Sequence, residues 1–145
     1  MSPKAYLLLF LFSAVSGLFA QSFDGSSHLP LLIVQSNGEA IVDDPRIAAE
    51  MCLIYNGTQK RNRIGDPCNQ YEGQISIEIR GSSSQFFPKK GYGFETQNAD
   101  SSNNNVVLLG MPSENDWILH GPFSDKSLIR NALTYRIGRD IGRYA

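Results

Sequence analysis

Between residues 75 and 96 the chain has few ways to fold. Ile75, Ile77 and Ile79 alternate with Ser76, Glu78 and Arg80, the two-residue period of a strand with one buried face. Gly81 ends the alternation, and Ser82-Ser83-Ser84, Gln85, Phe86-Phe87, Pro88 and Lys89-Lys90 follow. A second strand is predicted over residues 91–96, with Tyr92 and Phe94 on alternate positions. The unit reads as strand, polar loop, strand. It gathers hydroxyls, free backbone N–H groups and the cations of Arg80, Lys89 and Lys90 at one end. Such an inventory suits an anionic, oxygen-rich ligand, phosphate first. The alternatives are a plain serine-rich turn and a sheet edge protected by lysines. Strand alternation puts Lys90, rather than Lys89, in phase with Tyr92 and Phe94.

Around this unit the chain divides simply. Lys4, the apolar run 5–12 and the small residues up to Ala20 read as a secretory signal peptide cut after Ala20. The apolar core is too short to span a membrane. Cleavage leaves 125 residues with 12 basic against 14 acidic side chains, a net charge of −2. Nothing in so balanced a charge suggests a nucleic-acid footprint, and the basic residues are local. Residues 21–28 read as a polar linker and 29–145 as one domain. Strands are expected at 29–35, 51–56, 106–109 and 116–119. A short helix is expected over 46–50, with Pro45 at its first position. From Ser124, read as an N-cap, Leu128, Ile129, Ala132, Leu133, Ile137 and Ile141 follow helical spacing as far as Gly142. Strands first and one amphipathic helix last make an α+β fold with a mainly antiparallel sheet.

Cys52 and Cys68 are the only cysteines. In an exported chain they form either a disulfide or two small buried apolar residues. They are not read as a metal site, because no histidines lie beside them. Asn56-Gly57-Thr58 matches a glycosylation sequon and is read as chance. His28 and His120 lack a partner in sequence and receive no role. Trp117 reads as core.

The words IRGSSSQ, FPKK, GYGFET and LLGMPSENDWILHGPFSDKSLIRNAL occur in that order. Together they resemble the CotH kinase family, the spore-coat-protein-H-like atypical protein kinases, from about residue 29 to the last residue. The resemblance implies the N-terminal half of an atypical kinase-like domain, truncated before the segment that supplies the catalytic and metal-binding carboxylates. It implies transfer of the ATP γ-phosphate to Ser or Thr of a secreted, surface or spore-coat protein, with ATP and Mg²⁺ as cofactors. Arg80, Ser82, Ser83, Lys89 or Lys90 would hold phosphates, with Arg130 in support. The catalytic residues are not assigned. The alternative function is a non-catalytic structural or carbohydrate-binding surface module, with Phe86, Phe87 and Tyr92 as adhesive aromatics. In either reading the product is extracytoplasmic, in a periplasm or at a cell surface.

Overall fold

The computed structural model describes residues 23–143; the signal peptide reading falls on residues outside them. In chain order the elements are β1 (Ser26–Ser27), β2 (Leu31–Gln35), β3 (Ile47–Ile54), β4 (Asn62–Arg63), β5 (Tyr71–Arg80), β6 (Gly91–Gln97), β7 (Asp116–Leu119) and α1 (Arg130–Asp140). A 3₁₀ turn, Ser83–Phe86, lies between β5 and β6. The main sheet runs β2-β3-β5-β6-β7, and every neighbouring pair is antiparallel. This is the α+β architecture that the alternation predicts.

Each strand turns one set of side chains to a common core. Ile47, Ala49, Met51 and Leu53 of β3, Ile75 and Ile77 of β5, and Phe94 of β6 are buried together with Tyr71 and Leu108. Full burial of an Ile, Met or Phe side chain contributes about 1.5–3 kcal/mol, so this cluster is the main source of stability. Val106 and Leu108 come from the excursion between β6 and β7 and pack against the same cluster. Thr96, fully buried, ties the excursion down. Its N–H donates to Asn115 O (2.9 Å), its hydroxyl to Asn104 O (2.7 Å), and its carbonyl accepts from Asn104 N (2.9 Å).

Several local expectations give way to tertiary context. Residues 47–50 form the start of β3, not a helix, and Pro45 sits in a bend before it. Ala and Glu favour helix, but Ile47, Ala49, Met51 and Leu53 also alternate, and pairing with both β2 and β5 decides the outcome. Residues 106–109 form no strand; Val106 makes one bridge to Glu114 while Leu108 turns into the core. Within the stretch read as a linker, Ser26–Ser27 pair with Asn62–Arg63, and Arg61 Nη2 donates to the Ser26 carbonyl (3.1 Å). Trp117 is only half-buried, packed against the edge of the core.

Cys52 and Cys68 are bonded to each other, which fastens the 55–70 loop to β3. Polar side chains hold the rest of that loop. Asn62, fully buried, donates to Leu29 O (2.8 Å) and accepts from Asn56 N (2.6 Å). The Asn56 amide donates to Asp66 Oδ2 (2.7 Å) and accepts from Asn69 Nδ2 (2.9 Å). A glycan on Asn56 would break this network, which agrees with reading the sequon as chance.

Candidate functional site

The β5–β6 pairing brings Arg80 opposite Gly91, so the loop between them starts and ends at one point on the sheet. Gly81 makes the first turn possible. Its φ is +120°, and a Cβ there would collide with the Ser84 hydroxyl, so only glycine is free of strain at this position. The chain then winds into the 3₁₀ turn, with Gln85 N donating to Ser82 O (3.1 Å) and Phe87 N to Ser84 O (3.1 Å). The Gln85 side chain reaches back to the Gly81 carbonyl (2.6 Å). Lys90 Nζ donates to the Gln85 carbonyl. The loop is therefore a braced turn.

At its base opens a cleft of about 260 Å³, lined by Arg80, Gly81, Ser84, Gly91, Ile118, Leu119, His120 and Gly121. The β6–β7 register pairs Tyr92 with Leu119, which carries His120 and Gly121 back along Lys90 and Gly91. There the two chains approach so closely that a Cβ on Gly121 would strike the Lys90 carbonyl. A second tie lies further out: the Phe87 and Phe123 rings stack at 5.0 Å between centroids, and the Lys126 ammonium sits 5.6 Å from the Phe123 centroid.

The residues expected to meet an anion are only partly gathered. Arg80 lines the cleft, and its guanidinium has no hydrogen-bond or ion-pair partner among the described residues. Ser82 and Ser83 are exposed at the start of the 3₁₀ turn. Lys89 is exposed, while half-buried Lys90 spends one of its donors on the loop itself. Arg130 is elsewhere. Its side chain is 80% exposed, lies 3.4 Å from Asp125 Oδ1 and does not line the cleft. Ser84, His120 and Gly121 were not picked out from sequence. The register of β7 against β6 is the signal that would have found the last two.

Of the aromatics in the adhesive reading, Phe87 stacks on Phe123 and Tyr92 packs against the core; Phe86 alone is freely exposed, at 89%.

On the sheet face away from the core, Arg46 bridges two strands, with Nη2 at 3.0 Å from Glu78 and Nη1 at 2.6 Å from Glu95. Burial pulls its pKa down, but the hydrogen bond to Glu78 and the charges of Glu95, Glu78 and Asp116 outweigh this, and the net shift is upward. This group is structural. A larger cleft, of about 430 Å³, borders the Cys52–Cys68 bridge. Glu50, Asp66 and Glu72 line it without any cation, so its field repels phosphate. Among the described residues, no group of three or more His, Cys, Asp or Glu is placed to hold a metal ion.

Asp125 organises the approach to α1. Oδ1 accepts from the Ser127 N–H (3.0 Å) and hydroxyl (2.6 Å), and Oδ2 from Arg130 N (2.9 Å). The helix therefore begins at Arg130, not at Ser124, with Ile129 at the N-cap position and Asp125 accepting from the first helical N–H. Leu128, at φ +59°, interrupts the winding between them. The apolar positions of α1 are exposed, from Leu133 at 54% to Ile137 at 52%.

By fold and loop, the chain is an α+β domain that presents a braced, hydroxyl-rich turn and a free arginine on a sheet hairpin. A family model described as CotH kinase protein matches residues 77–145, which hold this loop, its cleft and α1. Over those residues the chain is similar to the CotH kinase family. Residues 29–76, over which the resemblance is expected to extend, lie outside the match. No curated protein and no solved structure matches the chain.

The hydrogen bonds from Ser127 and Arg130 hold the Asp125 carboxyl below its ordinary value of 3.8. A group so depressed stabilises the fold above its unfolded pKa, and the contribution is lost as pH falls through the folded value. The helical circular dichroism signal should accordingly hold down to about pH 4 and weaken below it. In Asp125→Asn, which keeps an acceptor but no charge, that acid-dependent part should be missing. The same acid transition in both proteins would contradict that role of Asp125.

Proposed function

We propose that the turn at residues 81–90 and its cleft bind the phosphates of ATP. The chain is then the nucleotide-side part of an exported CotH-type kinase that phosphorylates Ser or Thr on a secreted or cell-surface protein. The observation that carries this reading is the Arg80 guanidinium, unpaired among the described residues, at the mouth of a cleft that lies in the family-matched segment. Arg80 is exposed, so its guanidinium is open to a ligand, and its planar fork beside the Ser84 hydroxyl at the cleft suits a bidentate anion. In the transfer itself, the acceptor hydroxyl oxygen bonds to the γ-phosphorus, the bond to the bridging oxygen breaks, and ADP and a proton leave. Arg80 would hold phosphate oxygens, Ser82 and Ser83 would donate to them, and Lys89 adds positive field. Lys90 has donors left after bracing Gln85 and would reach the same oxygens. Arg130 would join only if its pairing with Asp125 were given up.

The family is a kinase family, and ATP with Mg²⁺ is what such chemistry uses. The described residues fit the nucleotide half of that pair but not the metal, for they offer no cluster of ligands. No step here is assigned through Mg²⁺, and no residue is named as the base.

Removing a charge-assisted contact to phosphate costs about 1.5–3 kcal/mol, which is roughly tenfold or more in affinity. Arg80→Ala should weaken Mg-ATP binding by that factor in calorimetry while the fold stays intact. Unchanged affinity would remove Arg80 from the site. Stabilisation by a glycan panel, with none by Mg-ATP, would favour the carbohydrate-binding alternative, for which exposed Phe86 is the remaining support. For export, N-terminal sequencing of the product from a secreting host should read from Gln21, and a product retaining Met1 would contradict it.

A further inference from the structure

We infer that Phe123 and Lys126 are positioning residues for the phosphate-binding turn, and that Phe87 is their point of purchase on it. The inference rests on the nucleotide reading above. The turn has internal braces, from Gln85 to Gly81 and from Lys90 to Gln85, but these fix its shape and not its angle to the sheet. Two contacts outside it set that angle. One is the close approach of Gly121 to the Lys90 carbonyl. The other is the Phe87–Phe123 stack, with planes 25° apart, which the Lys126 ammonium covers. An offset aromatic pair with a cation over one ring is favourable and directional. Both contacts come from the segment that also carries His120 into the cleft. The segment between β7 and α1 therefore acts as a clasp. It holds the serine turn beside the cleft that Arg80 and Ser84 line, although Phe123 itself touches no ligand.

Hydrogen exchange and Mg-ATP calorimetry on the full chain, wild type against Phe123→Ala and Phe123→Tyr, test this. In Phe123→Ala the Gln85 and Phe87 amides should exchange faster and Mg-ATP should bind more weakly, each by roughly two- to tenfold, the worth of one aromatic pair. Exchange in the β5–β6 ladder should not change, and Phe123→Tyr should restore both readouts. If the alanine variant loses ladder protection, Phe123→Leu, of similar bulk, takes its place in the same comparison. Wild-type affinity in the alanine variant overturns the positioning role, whether or not the amides exchange faster. Weaker binding without rescue by tyrosine overturns it as well. Failure of the wild-type chain to bind Mg-ATP overturns the nucleotide reading itself, and the clasp's role toward a ligand falls with it.

Discussion

Pairing of β5 with β6 through seven register positions, Gln74 to Arg80 against Gln97 to Gly91, fixes both the core and the loop. On one face the ladder delivers Ile75, Ile77, Phe94 and Thr96 to the interior. At its end it delivers Arg80 and Gly91 to the mouth of a cleft. A slip of one residue would exchange the two faces, placing Ser76, Glu78 and Glu95 in the core and the isoleucines in water. Burial of that many apolar groups makes the register unambiguous. The loop inherits its precision from the ladder, and its own hydrogen bonds supply the rest.

The opposite face of the sheet carries the charges that link its strands up to β7. Arg46 stands between Glu78 and Glu95, with Asp116 near enough to raise its pKa. Three carboxylates on adjacent strands would otherwise repel one another. One partly buried guanidinium lowers that repulsion and links β3, β5, β6 and β7 across the face. Ion pairs at this exposure contribute little to net stability, so their value lies in setting strand order. With β7 in place, its exit segment is obliged to pass Lys90, and Gly121 is the residue that lets it.

How much of this was legible depends on whether a residue's fate was local. The strands at 75–80 and 91–96 could be read from alternation, because a half-buried strand writes its period into its own residues, and the one at 29–35 from a continuous apolar run. The 46–50 segment could not, since Ala48, Ala49 and Glu50 suit a helix as well and only pairing with neighbours decides. Residues 106–109 looked like a strand because Val106, Val107, Leu108 and Leu109 are apolar. Their role is instead to drop Leu108 onto the core. Arg80, Ser82 and Ser83 were legible as candidates because they follow a strand, and of the three Arg80 lines the cleft. His120, Gly121 and Phe123 were not legible, because their meaning depends on a register between β6 and β7 that no single segment contains. Arg130 does not line the cleft. Its helical position was legible, but its charge and its backbone N–H are both engaged by Asp125. The exposed apolar stripe of α1 was legible as amphipathic, and among the described residues nothing covers it.

The central claim is that one end of the β5–β6 hairpin is an anion site for a nucleotide. Backbone amide NMR of the labelled chain during titration with Mg-ATP tests it most directly, since it reports location as well as binding. The account predicts saturable shifts at Gly81, Ser84, Gly91, His120 and Gly121, with the residues around the Cys52–Cys68 bridge unmoved. Shifts confined to Glu50, Glu72 and their neighbours in the other cleft, or no saturable shifts at all, would contradict it.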